Sequence, residues 1–249
     1  MIVSLTEAGL FEVVKSQYLY KMKSRLGLFL SMAGMQVMGL LFSLGGVMSF
    51  SMGSQYIDLS VRYFSSDLVI TFTFIWLFVV AVLTTTKEYQ NIDFTFIANR
   101  LSSNLSNAAF LATAALFGAF TAMLSGFLLR IIVYFKSGGY LLSQNFIAVP
   151  ADVFTGIAVT LAYLLLIGSL GYFCGVLAQR SKVFIVLLGG LLFGLLVLAG
   201  RGYRLPAIFK AFEFFRLETS LALLALKVIL AAALFYACSI VLSDRLEVR

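Results

Sequence analysis

Two features of this chain bear on chemistry: charges set inside apolar runs, and a polar stretch caught between two such runs. Lys227 is of the first kind, within LALLALKVILAAALFYACSIVL, residues 221–242. A cation at that depth is costly and marks a functional position unless it escapes the hydrocarbon. Lys227 follows Ser220 by seven residues, about 10 Å of helix, so its ammonium reaches an interface by snorkelling, which is the preferred reading. Asp152, just after Pro150, suits a helix start, where a carboxylate opposes the backbone dipole. The chain has no histidine, so haem, zinc and copper lose their usual ligands. Cys174 and Cys238 fall in apolar runs, and no serine or cysteine there has a histidine or intramembrane aspartate beside it. Nucleophile–base catalysis is therefore disfavoured, and no catalytic or metal-binding residue is assigned.

The polar stretch is TTTKEYQNIDFTFIANRLSSNLSN, residues 84–107. Tyr89, Ile92 and Phe96 recur at three- and four-residue steps, so a short helix presents them on one side, with Glu88 and Arg100 at its ends. An apolar stripe of this kind on an aqueous loop predicts a docking contact. The phosphate-cradling pattern G-x-x-x-x-G-K-[ST] occurs nowhere in the chain, so the polypeptide cannot hydrolyse a nucleotide alone.

The elements that must position this stretch are membrane helices. Hydrophobic residues make up 61% of the 249 and charged residues 12%, with a mean hydropathy of +1.03; soluble domains carry about 25% charged residues. Six apolar runs are long enough to cross a hydrocarbon core of about 30 Å: residues 26–50, 68–86, 108–129, 153–178, 183–199 and 221–242. Without apolar/polar alternation in these runs, the expected fold is an all-α membrane protein of six transmembrane helices rather than a barrel. Residues 1–25 carry Glu7, Glu12, Lys15, Lys21, Lys23 and Arg25 ahead of any apolar run, unlike a cleavable signal peptide.

Lysine and arginine flanking the spans favour a cytoplasmic N-terminus by ten against eight, and the leading flank of span one, with four, against Arg62 alone beyond it, decides the orientation. Both termini and residues 87–106 are then cytoplasmic. The net charge of +7 divides almost evenly between the two sides, which disfavours a nucleic-acid-binding face and makes the basicity a membrane-surface property.

Residues 4–24 read as an amphipathic interfacial helix. Ser4 and Glu7 form a capping box, and Phe11, Val14, Tyr18 and Met22 make a stripe opposite Glu12, Ser16 and Lys23, with Lys15 at its border. Residues 51–66 and 134–150 are expected as outer loops. After Pro206, Ile208, Phe212 and Phe215 share a helical face apart from Lys210, Glu213 and Arg216, predicting an amphipathic helix at the outer leaflet. Gly171-x-x-x-Gly175 and Gly190-x-x-x-Gly194 allow close helix approach, more often within a chain than between chains. The missing intramembrane carboxylate pairs and internal repeat disfavour an ion-coupled or inverted-repeat carrier.

Lys87-Glu88-Tyr89, then Asn91 to Ile97, then Asn99-Arg100-Leu101-Ser102-Ser103 give the loop after span two a glutamate, a short helix and a polar turn in that order. In this, and in its six-span plan with an amphipathic outer helix between spans five and six, the chain resembles the permease subunits of ATP-binding-cassette (ABC) transporters of the type-2 exporter family. The glycine-threonine in mid-loop and the proline near Leu101 that members often carry are missing here. The resemblance implies an N-terminal interfacial elbow helix over residues 1–25, a six-span permease domain over 26–249, and a cytoplasmic coupling helix. It makes Glu88, Tyr89, Ile92, Phe96 and Arg100 the contacts to a separate cytosolic ATP-binding cassette subunit. ATP and Mg would be held by that partner, with no cofactor in this chain. A second permease copy or related permease, membrane lipid and a location in a bacterial cytoplasmic membrane are likewise implied. The expected function is export of a hydrophobic or amphipathic substrate such as a peptide, lipid or antibiotic. The alternative is a non-transporting polytopic scaffold that recruits a cytosolic partner through residues 87–106.

Overall fold

The computed structural model describes residues 9–46, 48–54, 57–86, 88–89, 100–136, 150–180, 183–184, 187, 190, 194, 214–215, 218 and 220–244. Its helices are α1 (Leu10–Ser24), α2 (Leu26–Ser43), α3 (Asp67–Thr84), α4 (Arg100–Lys136), α5 (Pro150–Arg180) and α6 (Leu221–Asp244); strands β1 (Met48–Ser54) and β2 (Ile57–Tyr63) separate α2 from α3. Five of the helices, α2 to α6, are long and apolar enough to cross a bilayer. This is a multi-pass, predominantly helical membrane protein. The expected fifth span, 183–199, falls mostly outside the described residues, as do Ser4, Glu7 and most of 201–220.

Span one is shorter than expected. Its helix ends at Ser43, and the chain leaves through Gly46 at φ 89°, a backbone conformation that only glycine adopts cheaply. Residues 48–50, expected as the end of the span, begin β1 instead, and the segment between α2 and α3 holds an antiparallel hairpin. Its register matches Met48 with Tyr63, Phe50 with Val61 and Met52 with Leu59, while Ser49 faces Arg62 and Ser51 faces Ser60. From Met48 to Met52 apolar residues thus pair with apolar and polar with polar, the period-two pattern of a strand.

The three threonines that open the polar stretch stop α3. Thr84, Thr85 and Thr86 donate from their hydroxyls to the carbonyls of Ala81, Val82 and Leu83 at 2.7, 2.7 and 2.8 Å. Such back-bonding offers the chain an alternative to continuing the helix, and the amides of Thr85 and Thr86 close the end with turns onto the Val82 and Leu83 carbonyls. At the other end, the hydroxyl of Ser65 accepts from the amide of Asp67 at 3.2 Å.

The main core gathers Trp76, Leu77, Val80 and Ala81 of α3, Phe110, Leu111, Ala114, Ala115 and Ala119 of α4, and Leu164, Tyr172 and Val176 of α5. Alanines on α4 let its backbone come close, and Phe29 of α2 meets Phe110 and Phe117 edge-on at 6.1 and 5.7 Å between centroids. Lipid tails are as apolar as leucine, so polar contacts and small residues set helix registration. Gln36 supplies one: its side-chain amide donates to Thr121 Oγ1 at 2.9 Å, Thr73 Oγ1 at 3.2 Å and the Gly118 carbonyl at 3.4 Å, joining α2, α3 and α4. The indole of Trp76 donates to Ser31 at 2.9 Å.

Gly171 and Gly175 serve packing within the chain. A Cβ at Gly171 would lie 2.9 Å from the Phe78 carbonyl oxygen, and one at Gly175 would lie 2.3 Å from Thr85 Oγ1. Both glycines therefore let α5 press onto α3. Gly171→Val should destabilise the protein by about 1–3 kcal/mol. Gly34→Ala, where an added Cβ meets nothing within 4 Å, should leave it unchanged or slightly stabilised. Thermal unfolding of the two variants in detergent checks this, and equal midpoints would refute it.

Candidate functional site

The polar stretch does not remain a loop to its end. Ser102, Ser103, Asn104, Ser106 and Asn107, expected as a polar turn and the lead into span three, are helical from the start of α4 and buried. Short polar side chains favour caps and turns over helix interiors because they compete for nearby backbone groups. They are stable here because other elements supply partners. At 37 residues, α4 runs about 55 Å, far more than a hydrocarbon core requires. Its first two turns therefore lie beyond the apolar part that begins at Ala108.

The partners come from α1. Val14, Gln17 and Lys21 on that helix, and Arg25 just after it, recur at three- and four-residue steps and are all buried. The inward face thus carries polar residues beside Val14; of the expected stripe Val14 is buried, Tyr18 and Met22 are half-buried, and Phe11 is 77% exposed. Lys21, only 1% exposed, places its ammonium against α4. It donates to Ser106 Oγ at 2.6 Å, Asn107 Oδ1 at 2.7 Å and the Ser103 carbonyl at 3.3 Å. The Ser106 hydroxyl faces both the Ser103 carbonyl at 2.9 Å and Gln17 Oε1 at 3.2 Å. The network continues into α5, where Tyr172, 2% exposed, donates to Asn104 Oδ1 at 2.6 Å and accepts from Asn107 Nδ2 at 3.5 Å. Its ring lies 5.4 Å from that of Tyr236 on α6.

One helical turn beyond Lys21, the Arg25 guanidinium sits 4.8 Å from the ring centroid of Tyr89 and 5.4 Å from that of Phe110, within range of cation–π attraction to both. The last turn of α1 and its exit residue therefore touch the polar stretch on both sides: Arg25 takes Tyr89 upstream, and Lys21 takes Ser103, Ser106 and Asn107 downstream. The groups assembled are amides, hydroxyls and cations, which position helices.

Of the residues singled out from sequence, Glu88 and Tyr89 are helical, the former exposed and the latter half-buried. Arg100 is the first residue of α4, and Ile92 and Phe96 lie outside the described residues. Gln17, Lys21, Ser103, Ser106, Asn107 and Tyr172 were not anticipated as a group. Their signal was polar spacing: Gln17, Lys21 and Arg25 at steps of four, and Ser103, Ser106 and Asn107 along one helical face. Lys227 makes a separate site. Its ammonium pairs with the Glu218 carboxylate, donates to the Phe214 carbonyl at 3.1 Å and stands 3.8 Å from the Phe214 ring centroid. All three partners belong to the segment that precedes the span, toward the interface. Comparison of the chain with protein-family models, curated proteins and solved structures returns no match.

Hydrogen bonds to a charged group contribute about 1.5–3 kcal/mol, and a buried acceptor left without its donor costs a comparable amount. Lys21→Met, which keeps the apolar stem, should lower stability by about 2 kcal/mol. Lys23→Met, two residues on and exposed, should change it by less than about 0.5 kcal/mol. Unfolding midpoints of the two variants side by side test the distinction, and similar losses in both would refute it.

Proposed function

We propose that this chain is the transmembrane permease subunit of an ATP-driven exporter. A separate ATP-binding cassette subunit engages residues 87–106 on the cytoplasmic side, and a second permease copy or a related permease completes the conduit. The observation that carries the reading is the grip of α1 on both flanks of that stretch. A push on the intervening residues is delivered at once to α3, through the Tyr89 end, and to α4, through Ser103–Asn107. It passes to α5 through Tyr172. A rigid-body change of this kind is what a motor that binds nucleotide better in one state needs in order to re-orient spans. The Lys87–Ser103 resemblance supports the same assignment, and phenylalanine-rich, weakly charged spans suit a hydrophobic or amphipathic cargo.

In a complex reconstituted in vesicles with its ATPase subunit, replacing both Ile92 and Phe96 by aspartate should abolish substrate-stimulated ATP hydrolysis. Membrane insertion should be unaffected. Unchanged stimulation would overturn the role of the stretch. A wild-type complex that forms but shows no substrate stimulation would favour a recruiting scaffold.

A further inference from the structure

We propose that the outward face of α1 is a docking surface for anionic lipid headgroups. The inward positions of α1 are taken by α4. On the opposite side, Phe11, Lys15, Leu19 and Lys23 follow one another at steps of four and are all exposed, Phe11 by 77% and Leu19 by 48%. Residues so spaced form a single row along a helix. This row alternates apolar bulk with cationic tips, and among the described residues the acid beside it is Glu12.

The occupant follows from continuity. α1 ends at Ser24 and the spanning helix α2 begins at Leu26, so the end of α1 is at the membrane surface. Past the turn at Arg25, Leu26 and Leu30 are 63% and 78% exposed on a helix whose exposed face meets hydrocarbon. Lys23 is therefore at headgroup level. Lys15 and Lys23 stand at steps of four from Phe11 and Leu19, a spacing from which lysine can snorkel to phosphate with its stem along apolar neighbours. Among the described residues of this face two cations stand against one carboxylate, a balance that favours a net-negative headgroup over a zwitterionic one. Because the inward side of this same helix holds both flanks of the 87–106 stretch, headgroup composition would bear on how firmly that grip is seated. The proposal depends on α1 lying at the membrane surface and not on the exporter reading.

The test uses the full chain carrying Phe11→Trp, reconstituted in phosphatidylcholine vesicles containing a minority of phosphatidylglycerol, with acyl-chain bromine on one lipid or the other. The added emission is read against the wild type, whose Trp76 is buried. Quenching by brominated phosphatidylglycerol should correspond to a local enrichment of about three- to fivefold. The enrichment should vanish in the Lys15→Gln/Lys23→Gln background and shrink at high salt. Leu19→Trp should report the same. Equal quenching by the two lipids at equal mole fraction would overturn the proposal in favour of indifferent bilayer contact. No quenching at either position would overturn it in favour of water or a protein cover.

Discussion

Burying one ammonium at the head of the bundle organises much of the rest. Lys21 donates to a carbonyl, a hydroxyl and an amide oxygen of α4. A cation removed from water in this way is tolerated only where its donors are matched, and removing a partner costs far more than the pair contributes. The cage therefore fixes which turn of α4 faces α1. That choice places Asn104 and Asn107 against Tyr172 and so sets the position of α5. The same constraint explains why α4 begins with serines and asparagines that suit a helix poorly in isolation: they are the cage.

A second polar group works in the same way deeper in the bundle. Gln36, 5% exposed, reaches Thr73 and Thr121 and ties α2 to its neighbours. Around these two locks the packing is apolar and depends on small residues, with alanines along α4 and glycines on α5 where it presses on α3. The helix α6 is attached to α5 by a small apolar cluster of Ala162, Leu224 and Val228 and by aromatic contacts such as Phe173 with Phe235 at 5.8 Å. Polar contacts thus concentrate where α1 meets the polar stretch, and this concentration makes that end a mechanical unit.

Most of the spans were legible in the sequence because membrane helices announce themselves by length and hydropathy. Asp67–Thr84 and Leu221–Asp244 fall within two residues of the expected bounds. The end of α2 was missed because Met48 and Phe50 extend the apolar run. The alternation that betrays a strand, Met-Ser-Phe-Ser-Met, continues on β2 and becomes obvious only once the two segments are paired. The site was legible only in outline. Tyr89 stood out by spacing, but the residues that hold its surroundings are a lysine counted as a topogenic charge and serines taken for a turn. In a bilayer protein polarity does not imply exposure, because buried polar groups are the adhesive between helices.

The central claim, that the Lys21 cage binds the N-terminal helix to the head of α4, is tested most directly by a double-mutant cycle between Lys21→Met and Asn107→Leu, read by equilibrium unfolding. The account predicts a coupling energy of about 1 kcal/mol or more, because residues sharing one buried network do not act independently. Additivity within about 0.3 kcal/mol would contradict it and leave the two side chains as neighbours without a shared role.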